Sequence, residues 1–213
     1  MASFALPGIG VGGKDTVIPR KTGAYDTEGI VAGAKIPSQL VYFQDSTKFG
    51  QPLTVINSKV YGRDTNITSR TGGMAKGERL YAYGITAKID AMNQKIGPEK
   101  VAIFEEWRQL WGIGDVEIKL GADEFIRCQA RDIPVRLGGK RGQTTIANTL
   151  VTDLSEEGML DLTVAGDPYV FDEQEDFRIN LNFAPQTLAL GLETHITLRI
   201  EGIRVKLTDK QRR

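Results

Sequence analysis

Residues 177–183 read FRINLNF, with Phe177, Ile179, Leu181 and Phe183 on one face and Arg178, Asn180 and Asn182 on the other. After a turn region, residues 194–207 read THITLRIEGIRVKL, a second and longer alternating stretch. Period-two alternation of this length is the signature of antiparallel strands with one buried and one wet face. A long closing strand predicts a place in the middle of a sheet. Within it the pattern slips: Ile196, Leu198 and Ile200 share one face, whereas Ile203, Val205 and Leu207 share the other. Gly202 stands at the slip, where a β-bulge would return both sets to the core side.

Other segments follow the same logic. Residues 39–43 and 53–61 read as strands, and 63–77 (RDTNITSRTGGMAKG) as a loop. Residues 80–92 form the next strand, with Tyr81, Tyr83, Ile85, Ala87 and Ile89 on one face. Gly97-Pro98-Glu99 then opens a helix, because proline suits the first helical turn and an acid favours its start. Val101, Phe104, Trp107, Leu110 and Trp111 recur at helical spacing, Glu105, Glu106 and Arg108 take the wet side, and Gly112 and Gly114 end the helix. Residues 116–120 and 124–130 form a hairpin around Gly121-Ala122-Asp123. Residues 144–154 are a weaker strand, 169–171 a short one, and DEQED at 172–176 a solvated loop. About eight strands with one helix in a connection predict an all-β, antiparallel β-sandwich of the jelly-roll type.

The first 36 residues carry Gly8, Gly10, Gly12, Gly13, Gly23, Gly29 and Gly33. Such spacing weakens core formation and predicts an extended N-terminal arm over 1–36, a jelly-roll domain over 37–208 entered at Ile36-Pro37, and a basic tail over 209–213. At 213 residues with 40% hydrophobic and 25% charged content, the chain has the means to bury a full core. Lys plus Arg and Asp plus Glu both number 27, so the totals lack the basic excess of a dedicated nucleic-acid coat. No run is long enough to span a bilayer as a helix, and MASFALPGIGVGGK lacks the charged start and apolar stretch of a signal peptide.

Familiar chemical motifs lack the context they need. GIGVGG at 8–13 matches a dinucleotide fingerprint, but Pro7 precedes it and Val17-Ile18-Pro19 follows, where a strand and a helix are required. His195 is the single histidine and Cys128 the single cysteine. An intrachain disulfide is therefore excluded, as is a zinc site of the usual Cys/His kind. Cys128, in EFIRCQA, reads as an inert strand thiol and His195 as a residue of the polar register. Glu105, Glu106, Glu117, Glu124, Glu156, Glu157 and the DEQED run read as solvated faces. No catalytic, cofactor-binding or metal-binding residue is assigned.

Two basic clusters remain. Arg131, Arg136, Lys140 and Arg141 surround a Gly-rich loop, and Arg204, Lys206, Lys210, Arg212 and Arg213 gather at the C-terminus. The second group supplies the candidate contact residues. A basic pole on a neutral protein suits phosphate groups, lipid headgroups or an acidic neighbouring subunit.

The Gly-rich arm, LYAYGITAKIDA before a helix, the DVEIKL/EFIRC hairpin, and the closing FRINLNF and THITLRIEGIRVKL strands together resemble the small jelly-roll virion proteins of tailless icosahedral bacteriophages. The resemblance covers residues 37–208 and rests on strand order and the closing strand. It implies a structural capsid subunit, not an enzyme, made in the host cytoplasm and residing in the virion. Its partners would be copies of itself and other virion proteins, with the arm and tail reaching neighbouring subunits, the packaged genome or an internal membrane. A carbohydrate-binding or phage tail-associated sandwich is the alternative. For that reading Tyr169 with Phe171, or Tyr42 with Tyr61, would be the aromatic platform.

Overall fold

The computed structural model describes residues 23–43, 64–67, 74–91, 102–120, 123–137, 144–146, 149–151, 158–172, 177–185 and 188–206. Twelve strands and one α-helix are found among them. The first sheet contains β1 (Ala24–Ile30), β12 (Thr194–Lys206), β3 (Glu78–Asp90) and β10 (Tyr169–Phe171) in that order. Two further short strands, β6 (Val135–Leu137) and β9 (Leu160–Asp161), also pair with β3. The second sheet runs β2 (Gln39–Tyr42), β11 (Phe177–Phe183), β4 (Gly114–Leu120), β5 (Asp123–Gln129). A separate hairpin joins β7 (Thr144–Ile146) to β8 (Thr149–Val151). All pairings are antiparallel except that of β6 with β3.

One continuous core joins the sheets. Phe177, Ile179, Leu181 and Phe183 of β11 and Ile196, Leu198 and Ile200 of β12 are all buried, as their alternation requires. Phe171, Phe177 and Phe43 stack in series, with ring centroids 4.7 and 5.1 Å apart. The chain is thus a β-sandwich of two mostly antiparallel sheets, with the helix α1 (Ala102–Gly112) in the β3–β4 connection. Ile103, Trp107, Leu110 and Trp111 form its buried stripe. Trp107 Nε1 donates to Thr194 Oγ1 (2.9 Å) and Trp111 Nε1 to the Ile133 carbonyl (3.1 Å), so both indoles bury without an orphaned N–H.

Several expectations are corrected. The region assigned to the arm includes β1, which pairs along its whole length with β12 from Ala24↔Ile200 to Ile30↔Thr194. The sandwich therefore starts before Ile36-Pro37. Hydrophobicity concealed this strand because its inward positions, opposite Leu198 and Ile196, hold Asp26 and Glu28, both almost fully buried. The stretch 144–154 is not one strand: β7 and β8 pair with each other, from Thr144↔Val151 to Ile146↔Thr149. The proposed strand 53–61, the GIGVGG motif and the helix start at 98–101 lie outside the described residues.

The register of β12 and β3 does shift between Glu201 and Gly202. The extra residue, however, is on β3: Glu201 pairs with Gly84 and Gly202 with Ala82, leaving Tyr83 between them. Hence β3, not β12, changes face. Leu80 and Ala82 join Ile85, Ala87 and Ile89 in the core, and Tyr81 is not in that set. On β12 the alternation continues unbroken, so Gly202 and Arg204 follow Ile200 on the inner face, opposite Ala82 and Leu80. Val205 is buried, but it lies outside the continuous core.

Candidate functional site: the end of the sandwich where the basic tail begins

The five candidate contact residues divide sharply. Lys206 is exposed at the end of β12. Lys210, Arg212 and Arg213 lie outside the described residues. Arg204 is 6% exposed and turned inward, so it does not belong to a surface patch. Its Nε donates to Glu78 Oε2 at 2.8 Å, and Nη2 donates to the same oxygen. Nη1 donates to the Asn66 carbonyl at 2.7 Å. A guanidinium with three of its donors engaged this way acts as a bracket inside the fold.

Asn66 passes that bracket on to β1. Its backbone N–H donates to the Tyr25 carbonyl (3.2 Å), its Oδ1 accepts the Tyr25 N–H (2.8 Å), and its Nδ2 donates to the Gly23 carbonyl (2.7 Å). The amide thus takes the position of a neighbouring strand at the start of β1, satisfying groups that an edge strand would otherwise present to another chain. Arg204, Asn66 and β1 form one connected unit.

Beside it, Asp26 Oδ2 accepts the Phe43 N–H at 2.6 Å and ties β1 to the end of β2. The Tyr42 hydroxyl is fully buried nearby. Burial, followed by the charges of Glu28 and Asp26, raises its ionisation well above the ordinary tyrosine range. Asp26 and Glu28 are the functional-group residues that hydrophobic patterning missed. The one available signal was the alternation of Ala24, Asp26, Glu28 and Ile30, with apolar residues only at its ends.

Several of the remaining sequence candidates have structural partners, whereas Lys140, Arg141, Glu156 and Glu157 lie outside the described residues. His195 is buried on the outer register of β12, with Nε2 2.9 Å from Glu193 Oε1. Glu106 Oε2 accepts the Gly191 N–H (2.8 Å), Glu117 Oε2 accepts Asn180 Nδ2 (2.7 Å), and Glu105 lies 3.7 Å from Arg108. Tyr42 and Phe171 are core residues, and Tyr169 packs against the core. Tyr61 lies outside the described residues. Among the described residues, no three His, Cys, Asp or Glu side chains converge in a group able to hold a metal, and no helix is long and apolar enough to cross a membrane.

Cys128 is half-buried on β5. Burial, then Asp132 and Asp115, pushes its thiol from about 9 up to about 11. Two outcomes are expected. Iodoacetamide should modify the native thiol far more slowly at pH 8 than the urea-unfolded thiol. Stability should also fall between about pH 9 and about pH 11, because there the unfolded thiol has released a proton that the folded one retains. Equal alkylation rates in the two states would contradict this placement.

No family model, curated protein or solved structure matches the chain.

Proposed function

We propose that this protein is a jelly-roll structural subunit that assembles with copies of itself into a shell, as in an icosahedral bacteriophage capsid. The observation that carries this reading is the nesting of its strands. Take β1, β2, β3, β4, β5, β10, β11 and β12 as eight principal strands. The first then pairs with the eighth, the second with the seventh, the third with the sixth, and the fourth with the fifth. Pairing of the eighth with the third and the seventh with the fourth completes the two sheets. That order is the one expected from coiling a long antiparallel hairpin on itself, and it supports the jelly-roll reading. The other four strands, β6 to β9, all fall in the connection between the fifth and sixth principal strands.

A jelly roll supports lectin and capsid roles alike, so fold does not choose between them. Surface chemistry supports the structural role. A sugar platform needs exposed rings, and every aromatic side chain described is buried or partly buried. The basic residues from Lys206 to Arg213 remain the contact proposed for acidic groups of a neighbouring subunit, the genome or an internal membrane.

Negative-stain electron microscopy of the purified full chain tests the assignment. Closed shells, sheets or capsomers are expected. In material lacking residues 209–213, the fold and its melting temperature should be kept while assembly changes in yield or salt dependence. A monodisperse monomer at high concentration with measurable glycan affinity would replace this reading with the binding-module alternative.

A further inference from the structure

One long side of the first sheet carries a charge pattern that matches its own reverse. Along the outer edge of β3, β10 lies opposite Leu80–Ala82, β9 opposite Gly84–Ile85, and β6 opposite Ala87–Ile89. β9 and β10 run in the same direction, and Leu162 N–H continues their ladder by donating to the Tyr83 carbonyl (2.9 Å). Opposite the bulge at Tyr83 the chain leaves this edge as a tight hairpin. Val164 and Asp167 exchange backbone hydrogen bonds of 2.9 and 3.0 Å around Ala165 (φ 54°) and Gly166 (φ 89°).

The hairpin does little for its own fold. Residues 164–167 are all exposed, and a side chain at Gly166 would meet nothing within 4 Å. Left-handed geometry at Ala165 costs on the order of 1 kcal/mol. Val164 is 60% exposed, and Met159 and Val170 on the same segment make three of the five large exposed hydrophobics among the described residues. Apolar groups placed at such cost on an exposed projection suit burial against another protein surface.

Charge indicates which protein. Asp161 and Asp167 are exposed at the hairpin, and Asp161 is held ionised by the Thr163 backbone and side-chain donors, which lower its carboxyl. Arg136 is exposed at the other end of the edge, and no ion pair engages it among the described residues. Arg136 lies level with Lys88 and the hairpin with Tyr83, a separation of five positions or roughly 17 Å along β3. Met159, next to Leu160 opposite Ile85, lies between them. The connection bearing β7 and β8 leaves this edge after Leu137 and returns to it at Gly158.

We propose that this edge is an isologous interface with a second copy of the chain, related by a twofold axis near Met159. The axis sets Asp161 and Asp167 of each copy against Arg136 of the other, with Met159 at the centre and Val164 beside Asp167 at the acidic end. Antiparallel juxtaposition satisfies both ends at once, as a twofold contact must. The acidic hairpin also disfavours a phosphate-bearing occupant such as nucleic acid or an anionic lipid surface. The inference rests on the self-assembly reading above and names a contact through which assembly proceeds.

The test uses the full chain. Asp167→Arg and Arg136→Glu should each weaken self-association about tenfold in sedimentation equilibrium, and the double variant should recover it. Met159→Cys in a Cys128→Ser background should give a covalent dimer with a short bismaleimide, and adding Arg136→Glu should suppress it. Far-UV circular dichroism checks that each variant folds. Unchanged association in both charge reversals, with no cross-linked dimer, overturns the interface. Electron microscopy of the same samples separates this from the broader reading. Shells that persist in both reversals leave the capsid assignment standing without this contact, whereas cross-linked dimers that never build shells support the contact and remove the capsid assignment.

Discussion

Replacing Arg204 with alanine is expected to destabilise the fold by about 3 kcal/mol, the scale for breaking a buried ion pair from one side. The change strips Glu78 of its cation and the Asn66 carbonyl of its donor. It also loosens the 64–67 segment whose Asn66 amide covers the start of β1. For a chain of this size the loss corresponds to a fall in melting temperature of roughly 6–12 °C. Lys206→Ala, two residues away on the exposed end of the same strand, should change stability by no more than about 0.5 kcal/mol. Urea titration of the two variants side by side makes the comparison. If Arg204→Ala matched the wild type, the guanidinium would be solvated and would belong with Lys206 in a contact patch after all.

Why Arg204 looked like a surface residue has a physical answer. Arg199, Glu201, Arg204 and Lys206 together resemble a wet face, and the Gly202 slip suggested a bulge on β12 that would have turned Arg204 outward. Where the extra residue sits decides the matter. Because Tyr83 of β3 takes it, β12 keeps its parity through Gly202 and Arg204 points inward. Hydrophobic periodicity locates a mismatch between two strands, yet a single strand's pattern does not say which partner absorbs it.

The same limit explains what was legible elsewhere. Strands β2, β3, β4, β11 and β12 follow from alternation because each buries an apolar row against the opposite sheet, and β5 follows with Ile126 and Cys128 partly buried against the core. Strand β1 does not, since Asp26 and Glu28 occupy its two central inward positions and a Phe43 N–H bond holds it there. Strands β6 and β9 are three and two residues long, and the edge of β3 defines them more than their own composition does. At the candidate site Lys206 is exposed, while the placement of Arg204 depends on tertiary register.

Gly202→Ala is the other change expected to have a large effect, and it tests the register directly. Glycine to alanine in a strand is ordinarily neutral or mildly stabilising, because alanine loses less backbone entropy on folding. At Gly202 a β-carbon would lie 2.3 Å from the Tyr81 carbonyl oxygen and 3.1 Å from Leu80 Cδ1. The first of these is backbone, fixed within the long β3–β12 ladder, so the strands must separate locally to admit a methyl group. A loss of about 3 kcal/mol is expected, comparable to severe overpacking of a core. Gly112→Ala provides the contrast: at the last position of α1 its β-carbon meets nothing within 4 Å, and a gain of about 0.5 kcal/mol should follow from helix propensity. Because both changes add the same methyl group, their difference in urea midpoint isolates the close approach at Gly202. Equal stability of the two variants would mean that Gly202 does not approach the Tyr81 carbonyl as its pairing with Ala82 across the bulge requires. The inward placement of Arg204, which depends on that bulge, would fall with it.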